Sequence, residues 1–273
     1  MISRERRVDL NADLGEGETT DAQLLEIVSS CNVACGGHTG DKDSMATTVS
    51  AAQAAGVAVG AHPSYPDREG FGRRSAYLTA SEIGPAIAGQ VGDLLAVATT
   101  ASVRVGHVKP HGALYNDAAR NRELADAICQ SICTLDRSLS VVGPPGSELE
   151  ASARHAGLDF VAEGFVDRAY QSDGALVPRS HAGAVYTDPA QASRQAIDIA
   201  VTGTVGTRDG GTLALPVQTL CIHGDTPGAV AIARAVRDAL ETAGLTIACR
   251  FSRSQSAQGL SLIHISEPTR PTT

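Results

Sequence analysis

Short apolar runs recur along the chain, and most are followed by an alanine-rich stretch whose apolar residues return at helical spacing. Seven runs predict strands, at residues 8–12, 32–35, 57–61, 103–109, 139–143, 160–164 and 219–223. Between them, 44–55, 81–99, 124–135, 189–201 and 228–243 predict helices. An eighth strand, 246–250, has no helix after it. Strands that alternate with helices imply a parallel sheet, because parallel neighbours need a long crossover. Seven or eight such units in one chain of this length predict an α/β fold of one domain, a closed, TIM-barrel-like (βα)7 barrel. No Pro/Ser-rich linker divides it.

The barrel domain is expected to span residues 1–259. From Leu260 onward the text changes abruptly: Leu-Ser-Leu-Ile-His-Ile-Ser-Glu-Pro-Thr-Arg resembles a translated sequencing-library adapter. The segment 260–273 is therefore treated as a non-native tail, expected to be disordered, and His264 is set aside with it.

Composition narrows the function. With 22 Lys plus Arg against 30 Asp plus Glu, the net charge of −8 repels a phosphate backbone. Aromatics are 3% and Trp is absent, so the stacking platforms of single-strand binders are missing too. No nucleic-acid partner is expected. No long uncharged apolar stretch occurs and no secretory leader is evident, so neither a membrane span nor export is expected and the location is read as cytoplasmic. The 6 cysteines form no C-x-x-C pair and are read as reduced, mostly buried thiols. Only Lys42 and Lys109 are lysines. A chain that otherwise writes arginine draws attention to Lys109, where a compact ammonium able to lose its proton would have a use.

In a βα barrel the active site lies on the loops after the strand C-terminal ends, and the polar residues gather there. Strand one delivers Asn11, Asp13 and Glu16; strand two His38 and Asp41; strand three His62 and Asp67. Strand four delivers Lys109 and His111, strand six Glu163, Asp167 and Arg168, and strand seven His223 and Asp225. Turn formation and capping are the competing explanations for Asp13, Glu16 and Asp41. Alternation places His107, Lys109 and His111 on one strand face; His107, deeper in, is read as a satisfied core histidine. Asp225 is open between a partner of His223 and a helix cap. Asp13, His38 and His62 are candidates for a divalent metal, although their spacing matches no compact motif. The segment 165–188 is too polar for a helix and long for a connection, so it is read as a lid, with Arg168 and Arg179 as forks for a carboxylate or phosphate. The glycine-rich stretch 203–211 is not a G-x-x-x-x-G-K-[ST] loop, and no G-x-S-x-G elbow is present.

Six motifs in order carry a specific resemblance. They are Val-Asp-Leu-Asn-Ala-Asp-Leu-Gly-Glu-Gly (8–17), Ala-Cys-Gly-Gly-His-Thr-Gly-Asp (34–41), Gly-Ala-His-Pro-Ser-Tyr-Pro-Asp (60–67), His-Val-Lys-Pro-His-Gly-Ala-Leu-Tyr (107–115), Asp-Arg-Ala-Tyr (167–170) with Leu-Val-Pro-Arg (176–179), and Cys-Ile-His-Gly-Asp (221–225). Over residues 7–250 the chain resembles the LamB/YcsF family, the A subunits of bacterial 5-oxoprolinase; Thr39 departs from the alanine usual there. The resemblance implies a seven-stranded barrel of the glycoside hydrolase/deacetylase type. It also implies ATP-dependent ring opening of 5-oxoproline to glutamate, with Mg and with B and C partner subunits. On that basis Asp13, His62, Lys109 and His111 are the expected catalytic residues, with Asp13 or His62 as base and Lys109, with His111 or Arg168, on phosphoryl charge. Asn11, Glu16, His38, Arg168, Arg179 and His223 are expected to bind substrate. Two alternatives stay open: a metal-dependent deacetylase or amidohydrolase, and a subunit that binds a small acid without chemistry of its own. A homo-oligomer is also compatible with the sequence.

Overall fold

The computed structural model describes residues 6–76 and 78–251. The expected tail at 260–273 and the domain boundary at 259 lie outside those residues. Within them, the first apolar run becomes β1 (Arg6–Leu14), where alternation separates two chemistries. Leu10, Ala12 and Leu14 join the large hydrophobic core. Asp9, Asn11 and Asp13 take the other face and bond to the side chains of Ser30, Asn32, Lys109, Glu163 and Thr219.

After α1 (Asp21–Leu25) come β2 (Ser30–Ala34), α2 (Lys42–Ala55), β3 (Ala58–His62), α3 (Ala80–Thr100), β4 (Val105–Val108), α4 (Gly112–Ala118), α5 (Arg122–Leu135), β5 (Ser140–Gly143), α6 (Glu148–Ala156) and β6 (Phe160–Phe165). The chain continues through α7 (Pro189–Ile197), a π-helical turn (Asp198–Thr202), the hairpin β7 (Thr204–Gly206) and β8 (Thr212–Ala214), then β9 (Thr219–His223), α8 (Ala229–Thr242) and β10 (Leu245–Ile247). Strands β1 to β6 pair in chain order, all parallel, and β9 pairs with both β6 and β1. This closes the seven-stranded barrel that the alternation predicts. The eighth strand appears as β10, which pairs in parallel with Arg6, Arg7 and Val8 of β1.

The structure adds α1, α4, α6 and the hairpin in the glycine-rich stretch, none of which the pattern announced. It also trims the fourth strand, expected at 103–109, to Val105–Val108. Helix starts follow local chemistry: Asp41 caps α2 through the amides of Asp43 and Ser44 in a full capping box, and Ser147 caps α6 through the amide of Glu150. Among the described residues no disulfide joins the cysteines, and Cys133 and Cys249 are only partly buried. No described helix is long and apolar enough to cross a membrane.

The core therefore lies between the barrel's outer face and the helices, and the barrel's inside is largely polar. Phe251 fills part of that inside, stacked on His107 at 3.7 Å and packed with Val142 and Val161. His107 donates from Nε2 to Asn32 Oδ1 at 2.8 Å, the satisfied core role expected of it. Gly60 of β3 makes room for that ring, since a Cβ there would sit 2.1 Å from His107 Nε2. We expect Gly60→Ala to lose about 1–3 kcal/mol in urea unfolding through overpacking. Exposed Gly89 in α3, where a Cβ meets nothing within 4 Å, should gain about 0.5–1 kcal/mol as alanine. Equal effects of the two changes would contradict this packing.

Candidate functional site

Past the end of β4 the backbone stays paired with β3: the Lys109 amide donates to Ala61 O at 2.9 Å and the His111 amide to Pro63 O at 2.8 Å. That extension carries Lys109 into the mouth of the barrel, where it is 1% exposed. Its Nζ lies 2.9 Å from Asp13 Oδ1, 2.9 Å from Glu163 Oε1 and 3.0 Å from Cys221 Sγ, so β4, β1, β6 and β9 meet on one ammonium. Burial alone would push the Lys109 pKa down, but the attraction of Asp13 and its neighbours outweighs it and holds the group well above the ordinary lysine range. Lys109 is thus a fixed cation, not the proton-releasing amine its rarity suggested. Asp13 is buried too, yet His62 and Lys109 hold it well below the usual carboxylate range. Beneath it, Asn32 donates to both Asn11 Oδ1 and Asp13 Oδ1 at 2.8 Å, and Asn11 donates to Glu163 Oε1 at 3.0 Å. Asn11 is a buried strut of the site.

A second group assembles above Asp13. His62 donates from Nδ1 to the Lys109 carbonyl at 2.8 Å, and its Nε2 lies 3.3 Å from Asp13 Oδ2. His111 donates from Nε2 to the Phe71 carbonyl at 3.0 Å, and its Nδ1 lies 2.9 Å from His62 Nε2. Glu16 Oε1 approaches His111 Nδ1 at 3.5 Å and accepts from His38 Nε2 at 3.0 Å, while His38 stacks on His111 at 3.7 Å. Gly72 permits this crowding: its φ is +64°, and a Cβ would lie 2.9 Å from that of His38 and 3.0 Å from the His111 ring. Burial, then the Asp13 charge, raises Glu16 to about 7. Burial lowers His38 to about 4 and takes His111 well below the usual imidazole value.

The opposite wall comes from the loop after β6 and the end of β9. Buried Asp167 accepts from His223 Nδ1 at 2.9 Å and from Thr226 Oγ1 at 2.7 Å. This fixes Nδ1–H, so Nε2 is the ring's basic nitrogen. Asp225 neither partners His223 nor caps a helix; it pairs with Arg73 and, at 3.4 Å, with Arg179. Arg168 donates from Nε to Ala184 O at 3.3 Å and from Nη2 to Val177 O at 2.7 Å. Gln195 ties the same loop through the carbonyls of Phe165 and Arg168. The segment expected to be a lid is thus folded on itself by Arg168 and tied at its start to Gln195 of α7.

A cavity of about 390 Å³ opens between these walls, lined by Asp13, Glu16, His62, Lys109, His111, Arg168, Arg179 and His223. Asn11 and His38 sit behind the lining as supports. Beside it lies a second chamber of about 390 Å³, sharing Tyr115 and Phe165 and walled by Pro144, Tyr170 and Leu215. Sequence reasoning left out Arg73 and Cys221, placed Glu163 and Asp167 at the rim without giving them roles, and gave Asp225 two roles that it does not take. For Cys221 a signal existed: Thr219, Cys221 and His223 alternate on one face of β9.

The profile of the LamB/YcsF family matches residues 8–255. The A subunit of 5-oxoprolinase from Heliobacterium modesticaldum is 48% identical over 253 residues, which cover 91% of this chain and 100% of that protein. Its counterpart from Methylococcus capsulatus is 47% identical over 248 residues, covering 89% and 95%. The crystal structure of a lactam utilization protein from Thermus thermophilus superimposes with a TM-score of 0.83 at 44% identity, covering 89% of this chain and 99% of that one.

Removing one partner of a buried charge cluster leaves the others uncompensated. Lys109→Met should therefore lower stability by about 3–5 kcal/mol in urea unfolding. Adding Glu163→Gln should return part of that loss, a positive coupling between the two sites. Strict additivity would mean that the ammonium and the Glu163 carboxylate do not stabilise one another.

Proposed function

The chain belongs to the LamB/YcsF family, and we propose that it serves as the A subunit of an ATP-dependent 5-oxoprolinase that opens 5-oxoproline to glutamate. The observation that carries this reading is the cavity itself, with its buried ammonium, its fixed histidine and its arginine pair on one wall. Kinship along nearly the whole chain with proteins described as A subunits of 5-oxoprolinase agrees with it.

The chemistry explains the residues. A five-membered lactam is a poor electrophile, so ATP, with Mg, enters as co-substrate and phosphorylates the amide oxygen. Once ADP has left, water adds to that carbon, the ring C–N bond breaks as nitrogen takes a proton, and a second water hydrolyses the acyl phosphate so formed to carboxylate and inorganic phosphate. Lys109, a permanent cation facing the cavity, balances charge that gathers on the amide oxygen. Arg179 and Arg73 already grip one carboxylate, that of Asp225, and the same forks suit the carboxylate of 5-oxoproline. Arg168 is a loop strut in this scheme, since its Nε and Nη2 are spent on backbone carbonyls.

For proton transfer, His223 fits better than the expected bases, Asp13 and His62. Asp13 is held too acidic to be a good base, and His62 Nε2 is engaged with His111 and Asp13. His223 instead has one nitrogen fixed by Asp167 and the other left basic beside the cavity.

Purified chain mixed with its B and C partner subunits should release glutamate from 5-oxoproline only when ATP is present, and the chain alone should release little. A complete set of subunits that yields no ATP-dependent glutamate would sink the reading. In that assay Arg179→Ala should raise KM for 5-oxoproline about tenfold or more with a smaller change in kcat. Asp167→Asn should lower kcat roughly 100-fold with KM little changed, because the His223 ring loses its fixed tautomer.

A further inference from the structure

Two imidazole nitrogens meet at the cavity rim in a way that neutral rings cannot satisfy. The Nδ1 of His62 faces the Lys109 carbonyl at 2.8 Å, and the Nε2 of His111 faces the Phe71 carbonyl at 3.0 Å. A carbonyl oxygen only accepts, so both of those nitrogens carry their ring's hydrogen. The remaining nitrogens, His62 Nε2 and His111 Nδ1, then point lone pair at lone pair across 2.9 Å. Something positive must lie between them.

The surroundings say what. Asp13 Oδ2 lies 3.3 Å from His62 Nε2, and Glu16 Oε1 lies 3.5 Å from His111 Nδ1 and 3.8 Å from His62 Nε2. All four atoms fall within 4.8 Å of one another. We propose that these four atoms form a binding site for one divalent first-row transition ion, a site that the proposed function does not require.

Three further features fit. With metal–nitrogen bonds of about 2.1 Å, nitrogens 2.9 Å apart subtend about 90°, the angle between adjacent ligands in six-coordination. The outer shell is already built: two backbone carbonyls orient the imidazoles, His38 donates to Glu16, and Asn32 with Lys109 holds the other oxygen of Asp13. Two nitrogens with two carboxylate oxygens suit zinc, manganese or ferrous iron better than magnesium or calcium, which prefer oxygen alone. The neighbouring trio of Asp13, Cys221 and His223 does not compete, because Lys109 Nζ sits 3.0 Å from the Cys221 sulfur and would repel an ion there. One side of the four-atom set faces the cavity of about 390 Å³, so an ion would keep positions open to water or a ligand oxygen.

The test uses the full chain with neither substrate nor partner proteins, so its outcome is independent of the 5-oxoprolinase assay. Protein stripped with a chelator and dialysed is titrated with Mn2+, Zn2+ and Co2+ by calorimetry and by metal analysis after gel filtration. We expect about one equivalent bound with micromolar or tighter Kd. His111→Gln and Glu16→Gln should each weaken binding by about 100-fold or more, beyond the loss seen when an outer-shell partner is removed. Absence of binding at millimolar metal would overturn the proposal, leaving a shared proton as the bridge. Undiminished binding in both variants would overturn it too, placing the metal on surface histidines such as His155 and His181. If the variants fail to fold, the wild-type Co2+ spectrum decides: shifted and intensified d–d bands at one equivalent support the site, and the aquo-ion spectrum refutes it.

Discussion

One ammonium holds the interior of this barrel together. Moving a charge from water into a protein interior costs several kcal/mol even after relaxation, and Lys109 recovers it only through close pairing. Asp13 and Glu163, each 2.9 Å away, provide that pairing from different strands. Because the carboxylates come from β1 and β6 and the ammonium from beyond β4, the pairing specifies how three separated strands face one another across the closed sheet. A shift of one residue in any of them would turn its polar set outward into the helical layer. The amides beneath, Asn11 and Asn32, donate to the same two carboxylate oxygens, Glu163 Oε1 and Asp13 Oδ1, that the ammonium contacts.

A polar interior moves the hydrophobic core elsewhere. Leu10, Val33, Val59, Val108, Val141, Leu220 and Ile222 face the helices and are almost fully buried. These outward residues made the strands visible as short apolar runs, which explains why the barrel was legible in the sequence. The inward set was harder to place. Val-Asp-Leu-Asn-Ala-Asp-Leu looks like a half-exposed strand by its alternation, yet Asp9, Asn11 and Asp13 are all buried. Of the segments the pattern did not announce, α6 carries a helical period, with Leu149, Ser152 and Ala153 on its buried face, and the others are too short or irregular to show one. The hairpin has only 3 residues in each strand, α1 has 5, and α4 begins inside the histidine–lysine motif.

Site residues were legible where strand ends place them and illegible where backbone partners decide their role. Asp13, His62, Lys109, His111 and His223 meet at one cavity, as their positions after successive strands implied. Arg168 looked like a free fork because the Val177 and Ala184 carbonyls that occupy it carry no sequence signal. Asp225 looked like a cap or a histidine partner, since nothing links it in sequence to Arg73, 152 positions away. The tautomers of His62 and His111 are likewise set by carbonyls of residues 109 and 71, which no spacing rule reveals.

The pairing pattern also bears on how the cavity receives a ligand. Lys109 is matched by Asp13 and Glu163, His223 by Asp167, His38 by Glu16, and both Arg73 and Arg179 by Asp225. These matches are not equal in strength. Arg73, Arg179 and Asp225 retain solvent exposure, so their pairing is screened and exchangeable, whereas the Lys109 cluster is almost fully buried. An anionic substrate therefore meets a mouth that yields its arginines at modest cost and a floor that does not rearrange. Donors fixed in advance contribute most to stabilising charge that develops during reaction, because no reorganisation is needed at that moment. The tied loop after β6 serves the same end, since Arg168 and Gln195 hold it by backbone carbonyls without taking charge from the cavity. Selectivity at the mouth and rigidity at the floor thus follow from a single gradient of burial along the barrel axis.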